Sequence, residues 1–216
     1  MARLRVHNFP MSLDGYAAGP NQNIDNPLGE GGPRLHQWVF ATATAAARAT
    51  MGDEGGETGI DNDFVAAGDV NIGATIMGRN MFGPIRGDWG DDTWRGWWGP
   101  NPPYHHPTFV LTHHPRAAIE MEGGTTFHFI TNGLHAGVER AFAAANGKDV
   151  RLGGGVATVR AALAASLVDE LHVPIVPIFL GSGEALFAGM ADTMDAYECV
   201  ELTASSNVVH TRFARK

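Results

Sequence analysis

Cysteine is nearly absent from this 216-residue chain: Cys199 stands alone, so no intramolecular disulfide can form. A reducing compartment is consistent with that, and the expected state of the thiol is that of a small hydrophobe buried in a strand. Uninterrupted apolar runs of the roughly 20 residues that span a bilayer are missing as well, and the N-terminal stretch Met1 to Phe9 has no apolar signal region. The expected localisation is therefore cytoplasmic, with no membrane partner. Lysine- and arginine-rich runs are lacking too, and the net charge of −8 argues against a general nucleic-acid or anionic-membrane binder while leaving room for a local phosphate site. Metal-ligand spacings such as H-x-x-x-H or C-x-x-C do not occur. The pairs His105-His106 and His113-His114, with His128 and His135, lie in segments where neighbouring side chains point to opposite faces, so no metal is expected.

At 44% hydrophobic residues, the composition suits one domain over residues 1–216 with a substantial core. Strand and helix patterns alternate along it. Leu4 to Phe9 reads as a first strand. Arg34 to Ala47 reads as a helix whose Leu35, Trp38 and Val39 share a face at i, i+3, i+4 spacing. Thr50 to Thr58, rich in Gly and acidic residues, reads as a flexible loop, and Asp61 to Val70 as a short helix with Asp61 as its N-cap. A strand through Thr75-Ile76-Met77 follows, then a long loop at about 83–107 dense in Gly, Pro and Trp. Its Trp89, Trp94, Trp97 and Trp98 have two readings, as the wall of a pocket for a flat ring or as anchors that pack the loop down. Thr108 to Thr112, Thr125 to Thr131 and Asp149 to Leu152 read as strands, and Gly137 to Ala145 and Val156 to Ser166 as helices. The end reads as an antiparallel pair, Tyr197 to Ala204 and Val208 to Phe213, turning at Ser205-Ser206-Asn207. Such alternation predicts an α/β fold with a mostly parallel sheet covered by helices and an antiparallel C-terminal edge. Ligands of such sheets sit at the carboxyl ends of the strands.

The segment Arg151-Leu152-Gly153-Gly154-Gly155-Val156-Ala157-Thr158-Val159-Arg160 places three glycines between a strand and a helix. Backbone without Cβ atoms can turn sharply and approach a ligand, and the free N–H groups of the following helix attract an anion. Downstream, Val168-Asp169-Glu170-Leu171-His172 leads into an apolar strand closed by Gly181-Ser182-Gly183. Met11-Ser12-Leu13-Asp14-Gly15-Tyr16 follows the first strand, and Ile76-Met77-Gly78-Arg79-Asn80-Met81-Phe82 forms a strand-to-turn block in mid-chain.

In this order the four blocks resemble the reductase domain of riboflavin biosynthesis, the RibD C-terminal domain, which shares its fold with dihydrofolate reductase. The resemblance implies a dihydrofolate reductase-like three-layer fold, with a mostly parallel mixed sheet, flanking helices and an antiparallel C-terminal edge. It implies NADPH as cofactor, a small-molecule substrate and a homodimer. By the same resemblance Gly153, Gly154, Gly155, Val156 and Thr158 hold the pyrophosphate, Gly78 and Arg79 approach the phosphates of the adenosine end, and Thr112, His113 and Arg116 grip the 2′-phosphate. Ser12, Asp14, Trp38 and Ser182 are expected to line the substrate pocket.

Hydride transfer draws its chemistry from the nicotinamide, so the protein must supply orientation and a proton. Asp14 is the first candidate, acting through a water or by holding a ring N–H. The other reading makes it the acid of an Asp-Gly turn. His36 and Glu184 are further candidates. Dihydrofolate reductases carry a carboxylate on the first helix near the tryptophan, where this chain has Leu35 and His36. Riboflavin-pathway reductases commonly place a glutamate at the position of Leu152, and the M-G-R turn normally continues to a threonine where Met81 stands. The expected activity is an NADPH-dependent reduction of a small heterocycle, resembling 5-amino-6-(5-phosphoribosylamino)uracil reductase. A divergent dihydrofolate reductase and a non-catalytic NADP-binding protein are the alternatives. No deaminase-type zinc motif is present, which reads as a stand-alone reductase domain.

Overall fold

Backbone pairing and side-chain burial together decide where the elements start and stop. The computed structural model describes residues 1–50, 55–83, 87–90 and 93–216. In chain order the first elements are β1 (Leu4–Val6), β2 (Met11–Ser12), β3 (Tyr16–Ala18), α1 (Gln37–Phe40), α2 (Ala43–Thr50), α3 (Ile60–Ala67) and β4 (Ile72–Gly78). The middle holds α4 (Arg79–Phe82), β5 (Pro107–Leu111), β6 (Ile119–Glu120), β7 (Thr126–Ile130) and α5 (Gly133–Ala144). The last third holds β8 (Asp149–Gly154), α6 (Val156–Ala164), β9 (Glu170–Val176), β10 (Glu184–Ala185), α7 (Ala191–Met194), β11 (Tyr197–Ala204) and β12 (Val209–Arg215). The result is a mixed α/β fold, mostly parallel in its sheet and flanked by helices and antiparallel strands. No helix among the described residues is long and apolar enough to cross a membrane.

Contacts gather into two compact units. One comprises Met1–Val6 with Asn71–Asp169, the other His7–Val70 with Glu170–Lys216. In the first, β1, β8, β4, β5 and β7 run parallel in that spatial order, and β6 closes the edge antiparallel to β7. Thr108, Phe109 and Val110 of β5 and Ala74 to Met77 of β4 are buried in unbroken runs, as central parallel strands require. Helix α5 packs on β4 and β5, and α6 on β4 and β8. Helix α6 buries Val156, Val159, Ala162 and Leu163, a single stripe of helical spacing. The Trp-rich loop resolves toward anchoring: Trp89 is buried with Met77, Phe82, Val110 and Phe127, and Trp94 and Trp98 pack against the same cluster. Of that loop, residues 84–86 and 91–92 lie outside the described residues.

In the second unit, β11, β12 and β9 form an antiparallel series, with β2 parallel to β9 and a separate ribbon of β3 and β10. The expected first helix is broken. Its Leu35 and Trp38 do share the buried face, with Val65, Val176 and Val208. At Thr42, however, the hydroxyl donates to the Val39 carbonyl (2.7 Å) and accepts from the Ala45 N–H (3.2 Å), which ends one helix and caps the next. Three further readings need correction. Asp61 is not an N-cap, for Gly59 holds that place. Cys199 lies in a strand but is exposed, because β11 stands at the sheet edge. The first strand stops at Val6, two residues before Asn8 turns to a φ of +53°. The expected Thr50 to Thr58 loop falls partly on residues 51–54, outside the described residues; Thr50 itself ends α2 and Glu57 bridges to Thr42.

Asp61 serves a buried relay instead. The Asn8 N–H can only donate, so His172 Nδ1 accepts it (3.2 Å) and the neutral ring carries its hydrogen on Nε2. That N–H reaches His210 Nδ1 (3.1 Å), and the His210 Nε2–H reaches the Asp61 carboxylate (2.8 Å). Phe64 stacks on both imidazoles, at 4.9 and 4.0 Å. Each contact fixes the tautomer of the next ring, leaving neither histidine free to charge without breaking a bond.

Burial pushes His172 down to about 2, helped by the charges of His7, His210 and Arg212. His210 is lowered by burial against the pull of Asp61, and His36 is pushed down to about 4 by burial. Such groups bind protons in the unfolded chain before they do in the folded one, so stability is full above the ordinary value of 6.5 and falls as pH drops below it. Each imidazole contributes a slope of at most about 1.4 kcal/mol per pH unit. Urea unfolding between pH 7.5 and 4.5 should show this loss, and His172→Gln, less stable at pH 7.5, should show a shallower slope. An unchanged slope in the variant would assign the acid sensitivity to other groups.

Candidate functional site

Three adjacent parallel strands end side by side in the first unit. Register pairs Gly78 at the end of β4 with Leu111 on one side, and Met77 with Gly154 on the other. Consequently the M-G-R turn, the segment after β5 and the glycine loop share one edge, although 33 residues separate Arg79 from Thr112 and more separate either from the glycines. Gly78 is required here by space: a Cβ would overlap the hydroxyl of Thr158, on the first turns of α6.

The three glycines differ in what they do. Gly153 lies under Met81, whose Cε and Sδ would stand 3.1 and 3.2 Å from a Cβ there. Gly154 adopts a φ of +138°, which side chains disfavour, and a cis peptide joins it to Gly155. Gly155, the N-cap of α6, faces open space, with nothing within 4 Å of a would-be Cβ. No side chain caps α6 and no acidic residue lies in its first turn, so a helix N-terminus opens onto that space. Val156 itself is buried, anchoring the helix start.

Arg79 donates to the Thr112 hydroxyl (3.3 Å), which also accepts from the His114 N–H (3.1 Å). Its guanidinium stands over the Trp89 ring, 3.6 Å from the centroid, and that of Arg116 stands 4.9 Å from the same centroid. His113 is exposed on the loop between Thr112 and Arg116. Four other histidines of this unit have local partners: His106 with the Thr75 hydroxyl, His105 with the Gly123 carbonyl, His114 with Asp88, and His128 stacked on Phe109. Among the described residues no set of three His, Cys, Asp or Glu side chains could hold a metal ion.

The second unit assembles a different group of residues. Asp14 accepts from the Ser12 hydroxyl (2.6 Å), from the Gly181 N–H (2.7 Å) and from the Leu180 N–H (3.1 Å). The Ser12 hydroxyl, and after it the two backbone N–H groups, hold this carboxyl below the usual carboxylate range. An ionised Asp14 accepts hydrogen bonds and does not itself deliver a proton at neutral pH. Ser182 is carried by the same turn, exposed between Gly181 and Gly183, and Glu184 pairs with Ala18 in the small ribbon. His36 and Glu184 are not among the partners of Asp14. Trp38, at 3% exposure, packs with the core and stands edge-on to His210 at 5.3 Å.

The profile of the RibD C-terminal domain matches residues 6–211. The chain belongs to the RibD C-terminal domain family. A riboflavin biosynthesis protein from Shewanella sp. PV-4 has the same fold, with a TM-score of 0.61 and 20% identity over 100% of this chain and 99% of its own. Dihydrofolate reductase from Enterococcus faecalis, in a complex with NADP(H), aligns with a TM-score of 0.50 and 13% identity over 99% and 96% of the two chains. The diaminohydroxyphosphoribosylaminopyrimidine deaminase/5-amino-6-(5-phosphoribosylamino)uracil reductase from Thermotoga maritima aligns with a TM-score of 0.53 and 11% identity, over 100% of this chain but 57% of that one. No curated protein sequence matches the chain.

Within this RibD C-terminal domain, the departures have structural counterparts. Leu152 is fully buried in β8, a place hostile to a glutamate. Met81 lays its thioether on Gly153, so an apolar contact stands where a hydroxyl is usual. Sequence reasoning left two features unread, the backbone N–H pair of Leu180 and Gly181 and the place of Trp89 under both arginines. An Asp-Gly turn beside a distant Gly-Ser-Gly was the sole signal for the first, and the second had none beyond aromatic density.

Gly154→Ala should destabilise the protein by about 1–3 kcal/mol, since a side chain is forced into left-handed backbone. Gly155→Ala should instead keep most of the stability, since a Cβ there meets nothing within 4 Å. Thermal melts check both, and equal stability loss in the two variants would contradict the division of roles.

Proposed function

We propose that the chain is an NADPH-dependent reductase that transfers hydride to a small nitrogen heterocycle, in the manner of the riboflavin-pathway reductases. The observation that carries the reading is the shared edge of β4, β5 and β8, where an uncapped helix start, an open glycine and two arginines converge. Gly153, Gly154, Gly155, Val156 and Thr158 would hold the pyrophosphate, with Gly78 and Arg79 beside them. Thr112, His113 and Arg116 would take the 2′-phosphate, for which a guanidinium offers paired donors. The nicotinamide supplies the hydride; the protein orients it and arranges a proton.

Asp14, with Ser12 and Ser182, would be the polar group for the substrate. Its carboxylate would accept from a ring N–H or a water. A carboxylate held ionised suits that accepting role better than direct proton donation. Leu35 is buried in the core and His36 is held neutral at pH 7, so no acid stands where a pterin would call for one. This favours a pyrimidine-type ring over dihydrofolate. One family profile spans both units, which supports treating 1–216 as a single reductase domain. A cytoplasmic homodimer completes the proposal, and exposed Val200 and Leu202 on the edge strand β11 offer apolar surface for pairing.

Calorimetric titration should give micromolar binding of NADPH, at least tenfold tighter than NADH, a difference of about 1.4 kcal/mol. A substrate panel with NADPH should then show turnover of a pyrimidine, with Asp14→Ala slowing it at least tenfold while leaving NADPH affinity unchanged. Absence of binding to either dinucleotide would remove the reductase reading, binding without turnover of any substrate would leave a non-catalytic NADP-binding protein, and turnover of dihydrofolate would mark a divergent dihydrofolate reductase.

A further inference from the structure

Trp89 comes from the long loop after α4, and its indole is buried in the aromatic cluster of the first unit. It is 8% exposed. Phe82 and Phe129 meet it edge-on at 5.9 and 5.1 Å, and its Nε1–H donates to the His114 carbonyl at 2.9 Å. The ring plane is therefore set by two aromatic contacts and one hydrogen bond. Over that plane stand the guanidinium groups of Arg79, from the end of β4, and Arg116, from the segment after β5.

Two long cationic side chains from separate segments carry considerable rotamer entropy, and an exposed arginine sweeps a wide arc. Stacking on a fixed aromatic face removes much of that freedom before a ligand arrives. Stacking engages the face of a guanidinium and not the N–H donors at its edge. Arg79 already spends one donor on the Thr112 hydroxyl, which ties the pair to the end of β5. Because the His114 carbonyl that holds the indole belongs to the same short segment as Thr112 and Arg116, ring and cations are registered to one piece of backbone.

We propose that Trp89 is a positioning residue that aligns Arg79 and Arg116 for a phosphate monoester, and so sets the preference for a 2′-phosphorylated dinucleotide. This rests on the cofactor reading above and assigns to the loop tryptophan a part in it. Trp89 itself need not touch the ligand; it acts through the two arginines.

The test uses 2′,5′-ADP and 5′-AMP, which differ by the one phosphate, together with NADPH and NADH. In wild type, titration with 2′,5′-ADP should move the Trp89 indole N–H resonance, assigned with Trp89→Phe, and 5′-AMP should leave it in place. Trp89→Leu removes the face and should cut the NADPH-to-NADH affinity ratio about tenfold with NADH affinity within twofold of wild type. Trp89→Phe keeps an aromatic face and should restore most of the ratio. Arg116→Ala should cost less in the Trp89→Leu background than in wild type, as coupled residues do.

An unchanged ratio in Trp89→Leu, or equal losses for both dinucleotides, would overturn the positioning role. If the Leu variant does not fold, the wild-type resonance decides: 2′,5′-ADP binding that leaves the Trp89 indole unmoved overturns it equally. Failure of wild type to bind any of the four ligands would instead bring down the cofactor reading, and this inference with it.

Discussion

Parallel pairing of β4 with β5 and β8 is the constraint on which the rest depends. These strands bury their side chains; β4 pairs with β5 in unbroken register and with β8 through a shift that passes over Gly153, so a slip of one residue would expose a buried face. The fixed register makes three loops end level with one another. Every group proposed for the cofactor, from Gly78 to Thr158, takes its position from that edge and not from contacts made within its own segment.

Coverage of the strands divides unusually. Helices α5 and α6 perform it where the chain has residues of helical spacing, and Gly137 lets α5 come close enough to β5 to meet Leu111. Around β7 an aromatic cluster does so instead, with Trp98 stacked on Phe127 and Trp89 against Phe129. Large rings bury much apolar area without secondary structure of their own, and the indole N–H groups find carbonyls at Phe82 and His114. The loop is thus core and scaffold at once, which is how a packing residue comes to hold two cations.

The second unit depends on polar rather than apolar confinement. Asn8, His172, His210 and Asp61 join β9, β12 and α3 by a chain of bonds that runs in one direction. Asp14 does similar work for the turn after β9, drawing Leu180 and Gly181 to the carboxylate. A buried network of this kind specifies arrangement more than it adds stability, because each member is costly only when its neighbour is missing.

Much was legible without coordinates. The apolar runs of β4, β5 and β9, the stripe on α6, the C-terminal hairpin and the glycine loop are local patterns, and local patterns dictate local structure; the order of four motif blocks was enough to name the family. What lay beyond reach was long-range. Cys199 looked buried because strand propensity does not distinguish an edge from a centre. Thr42 broke a helix through a hydroxyl that bonds its own backbone, a choice that hydrophobic spacing does not record. Asp61, in the first turn of α3, bonds a histidine 149 residues away in place of capping the helix. The sequence by itself determined the elements, their order and the chemistry available at the strand ends. Only the tertiary structure decided which of those groups meet, because hydrogen bonds across 25 to 167 residues depend on sheet register, and register is a property of the assembled strands.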